Sequence, residues 1–482
     1  MNKRLVINLL GELFLIEALA MLPSVLVAQW YGDGDALALL FTVLMLTVAG
    51  GILHLLVKPK SKNMRAREGY AIVALAWILF GMFGALPYVF SGVLTNYVDA
   101  LFETVSGFTT TGATLIKNID GMPRGIAFYR CYTHWVGGMG VLVLSLALLP
   151  QLTGNSSHLV RAEAPGPGLS KIAPRMSDNA KLLYVLYGAL TFLLFIVLMI
   201  AGMSPYDAIL HAMSTAGTGG FSNYGASVAA FNSPLIDAII TIFMLLFGLN
   251  FALLYSLCLG RWKDVTRNEE LRWYVGMVVV AILGVTIAIL PKYSGFFEAL
   301  RYGSFQVASI ISTTGFATAD FNLWPEAARI ILLIVMLCGS CVGSTAGGMK
   351  TMRVALLCKL CKREVRRTIQ PHSVKVIRFE RKGQDEEMLS RVGVFFFVYI
   401  AVVILGTLLL AINNSYDFET NFTASLTCVS NVGPGFGGVG PTENFSGFPI
   451  FSKLVFITEM LCGRLEFFPI FAMFSPKMWH KQ

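Results

Sequence analysis

The chain has 482 residues, 55% of them hydrophobic and only 13% charged, where a soluble globular domain carries roughly 25% charged residues. That balance excludes a water-soluble enzyme and places the chain in a bilayer. The net charge of +9 and the basic run Lys362, Arg363, Arg366 and Arg367 lack the interleaved aromatics of a nucleic-acid surface, so no nucleic-acid partner is expected.

Crossing about 30 Å of hydrocarbon takes roughly 20 helical residues. In chain order, apolar runs of that kind occupy 5–29, 36–57, 70–90, 125–150, 182–202, 234–259, 273–291, 327–349, 392–412 and 453–474. Ten spanning helices are predicted. The first follows Lys3 and Arg4 as a signal peptide would, but it contains Glu12 and Glu17 and exceeds the length of an h-region, so it is read as an uncleaved helix. Grouping 1–4, 58–69, 151–181, 260–272, 350–391 and 475–482 on one side collects 29 of the 37 basic and 11 of the 28 acidic residues there. Lys and Arg accumulate on the cytoplasmic side, so both termini are expected in the cytoplasm.

Between alternate pairs of spans lie segments too short to cross. Each offers a short helix, at 97–108, 205–216, 297–311 and 418–429, followed by an uncharged phrase: TTGA at 110–113, TGGF at 218–221, TTGF at 313–316 and GPGF at 433–436. This alignment puts Gly112, Gly220, Gly315 and Gly435 in one column, and a step of 28 residues reaches a second column at Gly140, Gly248, Gly343 and Gly463. Non-helical backbone at membrane depth is tolerated only where it is buried in protein or lines a watery cavity. Glycine lets successive carbonyls face one way, and hydroxyls and carbonyls are hard oxygen ligands suited to potassium. The expected filter is therefore Thr110, Thr111 and Gly112; Thr218, Gly219 and Gly220; Thr313, Thr314 and Gly315; and Gly433, Pro434 and Gly435, with proline standing in the place of threonine in the fourth loop.

The stretch GSCVGSTAGGMKT at 339–351 interrupts the run 327–349. Met349 separates Gly348 from Lys350, which spoils a phosphate-binding loop. Its glycines Gly339, Gly343, Gly347 and Gly348, with Ser344 and Thr345, are poor helix formers, so the helix is expected to open into an intramembrane loop. Cys338, Cys341, Cys358 and Cys361 have zinc-ribbon spacing, but they straddle a span and a basic segment and are read as free thiols. Arg464 stands inside the last span, where a charge makes a functional role the default; Glu459 and Glu466 are its alternative, structural partners. Asn250, beside Gly248, is suited to hydrogen-bond the 339–351 loop or a hydrated ion, and equally to a plain interhelical contact. His54, His134 and His211 are read as packing residues.

The four phrases in their topological positions resemble the Trk/Ktr/HKT superfamily of potassium transporters, and within it the Trk-type uptake subunit of bacteria, over the whole chain. The resemblance implies an all-α polytopic membrane protein: four helix, re-entrant pore loop, helix repeats around a central pore, plus two extra N-terminal transmembrane helices. The units would be 1–57, two N-terminal helices; 70–150, 182–260 and 273–360, the first three repeats; 361–391, a basic cytoplasmic segment; and 392–474, the fourth repeat. It further implies one filter glycine per loop, 339–349 as a movable gate, and Arg464 as a positive barrier near the pore. Potassium would be the ion carried, with no organic cofactor and no enzymatic step. Further implications are the bacterial inner membrane, a homodimer, and a cytoplasmic ring of nucleotide-binding subunits docked on the basic 350–391 segment. The expected function is potassium-selective, channel-like uptake, with Asp99, Asp120, Asp320, Asp417 and Glu443 enriching the outer mouth. The alternative is a symporter coupling potassium to protons or sodium; its relay candidates Glu103, Asp207 and Glu459 are scattered along the chain.

Overall fold

The computed structural model describes residues 2–59, 66–140, 176–372, 376–413 and 415–479. Inside hydrocarbon, backbone groups must be satisfied within the segment or within a closed barrel, and the regular structure here is helical apart from one hairpin pairing Arg378–Phe379 with Lys382–Gly383. Six helices among the described residues are long and apolar enough to span: Lys3–Tyr31, Ala36–Leu56, Arg67–Phe90, Ala180–Ile200, Glu269–Lys292 and Glu386–Ala411. Their outward apolar side chains, such as Leu26, Val280 and Phe397, are left uncovered by protein, as lipid-facing residues are.

The first two helices form an antiparallel pair. They touch backbone to backbone at Gly11 and Gly50, where a Cβ on Gly11 would lie 2.9 Å from the Gly50 carbonyl, the close approach that small residues allow in a membrane. Their connecting turn carries Asp33 and Asp35, which accept hydrogen bonds from the Arg124 and Ile126 backbone N–H groups at 3.0 and 2.8 Å. The pair thereby caps the start of a helix in the first repeat.

Each repeat then runs outer helix, pore helix, inner helix. The pore helices are Tyr97–Phe108, Pro205–Gly217, Phe296–Ile311 and Phe418–Ser430, within a residue of the predicted ranges. The inner helices are Arg124–Gly138, Pro234–Phe247, Glu326–Cys338 and Ile450–Arg464. Each inner helix packs on the pore helix of the next repeat, and the fourth packs on the first, so the four repeats close a ring.

The inner helices correct the prediction of ten continuous spans. They have 15, 14, 13 and 15 residues, only about 20 Å at 1.5 Å per residue. After Phe247 the chain bends by 106° into the helix Phe251–Cys258. After Cys338 it leaves the helix until Thr351, and after Arg464 it turns through Glu466 and Phe467, both at positive φ. Hydropathy sums over such a break and cannot see it. The second half of the predicted 125–150 span lies outside the described residues beyond Gly140.

The second glycine column is also corrected. Gly140 lies past the end of its helix at φ 84°, Gly248 caps the second inner helix, Gly343 sits in the loop after the third, and Gly463 is inside the last turn of the fourth. A shared spacing does not place them alike, because the inner helices begin at different distances from the ring. The close contacts with pore helices are made by Gly137 against the Phe108 carbonyl and by Gly463 against the Val429 carbonyl.

Candidate functional site: a closed ring with a loop beneath it

Each pore helix leads by its C-terminus, the partially negative end of the helix dipole, into the centre of the ring. Asn96, Ser204 and Asp417 cap three of the opposite ends, each side chain accepting from a backbone N–H. The cap hydrogen bonds from Thr420 also hold the Asp417 carboxyl below its ordinary range. At the C-terminal ends the chain turns on one left-handed residue: Thr110 (φ 55°), Thr218 (54°), Thr313 (55°) and Asn431 (55°). A β-branched residue in that conformation is strained, and such strain persists only where the surroundings over-determine it.

These four turns set the register. The next residue donates its N–H back to the pore helix in every repeat, Thr111 to Ser106, Gly219 to Ser214, Thr314 to Ser309 and Val432 to Thr427, at 2.8 to 3.0 Å. The residue after that is glycine at positive φ: Gly112 (82°), Gly220 (78°), Gly315 (82°) and Gly433 (103°). A Cβ on Gly112 would run into the Gly219 carbonyl, on Gly220 into that of Thr314, and on Gly315 into that of Val432. On Gly433 it would lie 2.7 Å from the Thr111 carbonyl, which closes the circle. Only glycine fits, for reasons of both conformation and space.

The fourth loop is therefore read two residues off by its sequence phrase. Gly433, and not Gly435, stands with Gly112, Gly220 and Gly315. Pro434 follows the glycine, and Asn431 and Val432 occupy the places held elsewhere by Thr110 and Thr111. The resemblance of GPGF to TTGF and TGGF misleads because the pore helix ends at Ser430, so the ring-forming residues come earlier. Gly435 instead donates its N–H to Val439 O at 2.7 Å. The mouth cavity above the ring is lined by Gly112, Gly220, Gly315 and Gly433 but not by Gly435.

Of the acids expected at the mouth, only Glu443 lines this cavity. Asp99 pairs with Lys453 at 2.7 Å, Asp120 accepts from Gly225 N–H at 3.2 Å, Asp320 caps a short turn by accepting from Asn322 N–H, and Asp417 is the helix cap. Each of these four is engaged in a local contact away from the cavity lining.

On the other side of the ring lies the loop 339–350. Gly347 N–H donates to the Thr313 hydroxyl at 2.7 Å, and a Cβ on Gly347 would press on the Ser430 carbonyl and on Asn431. The loop thus sits directly against the left-handed turns of repeats three and four. It is held from below and beside. Ser340 donates to Ile311 O at 2.8 Å, Cys341 N–H to Gly248 O at 3.1 Å, and Val342 N–H to the Glu270 carboxylate at 2.7 Å. Phe251 N–H donates to Gly343 O at 3.0 Å. Asn250 caps the helix Phe251–Cys258 by accepting from Ala252 N–H, and its side chain borders Gly343, where a Cβ would come within 3.2 Å. Ser344 turns inward to Cys341 O, Thr345 donates to Phe247 O, and Gly339 and Gly348 lie against each other at the neck of the loop.

Arg464 reaches across this arrangement. Its guanidinium donates to Thr345 O in the loop at 2.9 Å and to Gly137 O and Gly138 O of the first inner helix at 2.6 and 2.7 Å. Glu466 is engaged by Arg353, and Glu459 accepts from the Ser425 hydroxyl at 2.5 Å. Sequence reasoning missed Asn431, Val432, Gly137, Gly138 and Glu270. Asn431 had a usable signal, an αL-tolerant residue two places before a glycine; Glu270, next to Glu269 at a helix start, looks like an ordinary solvated acid.

A ring of four pseudo-equivalent glycine turns, with a buried loop under it, meets a family model described as TrkH, cation transport protein, over residues 38–481. The chain belongs to the TrkH family. It is 37% identical over 486 residues to the Trk system potassium uptake protein TrkH of Salmonella typhimurium, covering all of both chains. It is 32% identical to TrkG of Escherichia coli, over 99% of this chain and 98% of that one. The crystal structure of the potassium transporter TrkH from Vibrio parahaemolyticus superposes with a TM-score of 0.89 at 32% identity and full coverage of both chains. TrkH proteins are multi-span, all-helical transporters, and the family is not enzymatic.

Proposed function

We propose that this chain is the potassium-conducting subunit of a bacterial uptake system: a potassium-selective, channel-like pathway across the cytoplasmic membrane, with both termini in the cytoplasm. The observation that carries the reading is the closed ring, in which each glycine faces the carbonyl of the next repeat. Potassium would exchange its water for these carbonyls and pass inward only when the 339–350 loop leaves Thr313 and Asn431. Channel-like flow is favoured over coupled symport because, among the described residues, the candidate acids Glu103, Asp207 and Glu459 are each tied to separate local partners. Glu103 is tied to Arg130, Asp207 to Ser204, Asn223 and Tyr224, and Glu459 to Ser425. The deciding experiment is the reversal potential of the purified protein in liposomes under imposed potassium, sodium and proton gradients; a potential that follows the proton or sodium gradient would replace this reading with symport.

Side chains at the ring glycines should impair selectivity. Gly315→Ser and Gly433→Ala are expected to lower the potassium-to-sodium flux ratio by about tenfold, the equivalent of about 1.4 kcal/mol. Gly435→Ala should lower the ratio less than Gly433→Ala, since no left-handed angle or ring contact is lost and its Cβ presses only on Thr423 and Val439. Isotope flux in vesicles, normalised to folded protein, measures this; equal effects at 433 and 435 would refute the corrected register.

The reading extends to partners. The proposed assembly is a homodimer on cytoplasmic nucleotide-binding subunits, and docking of those subunits is supported by the helix Thr351–Ile369, which follows the loop without interruption and carries Lys359, Lys362, Arg363, Arg366 and Arg367. Force on this helix would reach the loop directly. Part of its charge is already neutralised within the chain by Glu269, Glu364 and Glu386. The loop is also tied to this region through Glu270, whose own backbone N–H donates to Glu380 of the cytoplasmic hairpin segment at 3.1 Å. Glu270→Ala should therefore raise basal potassium flux severalfold without its partner, whereas Glu270→Gln, which keeps an acceptor for Val342 N–H, should stay near wild type. Equal flux in all three proteins would remove Glu270 as an anchor.

A further inference from the structure

Seven residues before each left-handed turn, the pore helix presents a fully buried side chain toward the segment that follows the ring: Glu103, His211, Gln306 and Ala424. The chemistry differs in all four. Glu103 accepts from the Thr114 hydroxyl and from Leu115 N–H, both at 2.9 Å, immediately beyond Gly112. Arg130 donates its Nε–H to Glu103 at 2.6 Å and an Nη1–H to Ser222 O at 3.0 Å, two residues beyond Gly220. The guanidinium also lies 3.5 Å above the Phe221 ring, whose other neighbour is the His134 ring at 4.1 Å. Ser222 is held a second time, by His211. Because His211 Nδ1 faces the Asp207 carbonyl at 2.8 Å, it must donate there, and Nε2 then accepts from the Ser222 hydroxyl at 3.1 Å.

These contacts form one continuous chain from Leu115 to His211, across the boundary between repeats one and two. Repeats three and four are braced by other means: Arg329 of the third inner helix pairs with Glu419 and lies 5.2 Å from the Phe436 ring but is more exposed than Arg130, and Asn322 exchanges two hydrogen bonds with Gly437 at 3.0 and 3.1 Å. Gln306 makes a 3.3 Å bond to Ala319 O, and beside Ala424 the post-ring segment relies on Thr423, which receives the Phe436 N–H. The side chains of Glu103 and Arg130 are 0% and 2% exposed. A buried ion pair is a poor source of stability compared with apolar residues of the same volume, so its presence calls for a geometric explanation. Arg130 is suited to one, since its planar fork holds two acceptors in fixed directions, which a lysine cannot do.

We propose that Glu103 and Arg130 are positioning residues that set cation selectivity, by bracing the carbonyl-bearing segments of repeats one and two. The proposal rests on the ring being the selectivity filter. Neither residue supplies a ring carbonyl, although Arg130 also lines the mouth cavity above the ring. Relaxing the brace lets Thr111, Gly112, Gly219 and Gly220 shift, so the ring adapts to the smaller sodium ion while the path remains open.

The test is the potassium-to-sodium flux ratio in liposomes for the double variant Glu103→Gln/Arg130→Met, which leaves no buried unpaired charge, and for Arg130→Lys, which keeps the charge but loses the fork. Gly315→Ser serves as the reference for filter damage. Both variants are expected to retain potassium flux and to lower the ratio, the double variant by about tenfold and the lysine variant by less. A folded double variant with the wild-type ratio, beside a Gly315→Ser protein with a reduced one, overturns the brace and leaves the filter reading intact. If Gly315→Ser also leaves the ratio unchanged, the filter reading fails and the brace with it. Should the double variant not fold, Arg130→Lys decides alone: a wild-type ratio overturns the proposal. A loss of thermal stability without any change in ratio assigns the pair to folding and likewise overturns it.

Discussion

Arg464→Ala should raise potassium influx per folded molecule by at least tenfold at a fixed driving force. Two effects act in the same direction. On the proposed path the guanidinium would place a positive charge below the ring, and removing it would lower the barrier that a cation meets. It also ties the loop at Thr345 to the first inner helix at Gly137 and Gly138. A hydrogen bond to a charged group contributes about 1.5–3 kcal/mol, and losing one such tie shifts the balance of closed and open loops by roughly tenfold or more. Arg464→Gln separates the effects, because it retains donors without the charge: flux like that of Arg464→Ala identifies the charge as the main barrier, and flux near wild type identifies the tie. Glu459 and Glu466 already have partners in Ser425 and Arg353, so changing both to glutamine should not alter the Arg464→Ala result. Flux equal to or below wild type in Arg464→Ala would remove the residue from the gate.

Deleting residues 340–347 should produce a larger and less regulated flux. The loop leaves and re-enters through a narrow neck, where a Cβ on Gly348 would lie 3.1 Å from Gly339 Cα, so the two glycines can be joined without stretching the flanking helices. The excision removes the contact from Gly347 to Thr313 and the ties to Gly248, Glu270, Phe251 and Arg464 in one step. A protein so cut should conduct at least as well as Arg464→Ala and should not respond to the proposed nucleotide-binding partner. The measurement is vesicle flux with and without that partner, after the fold has been checked by monodispersity. A folded deletion protein that conducts no more than wild type would make the loop a static kink.

The long helices were legible because their signal is local. Twenty apolar residues have one cheap solution in hydrocarbon, and the pore helices end within a residue of expectation because Thr and Gly phrases stop them. The break at Leu465 was hidden, since apolar residues continue past it and the average hydropathy barely changes; at Gly248 the glycine itself, which permits a bend, was the only sign. The break at Gly339 was visible because glycine and serine cluster there.

By itself the sequence determined the membrane class, the six long helices, the four pore helices and three of the four ring glycines, all through hydropathy and short phrases that act within a dozen residues. Tertiary structure alone decided the rest. Gly433 displaces Gly435 because its place is defined by the Thr111 carbonyl of the first repeat, far away in the chain. Arg464 finds Gly137, Gly138 and Thr345 only because the fourth inner helix closes the ring against the first repeat. Glu103 and Arg130, 27 residues apart, become one brace only when the inner helix folds back on its own pore helix. Partners of this kind are fixed by ring closure, which no local pattern encodes.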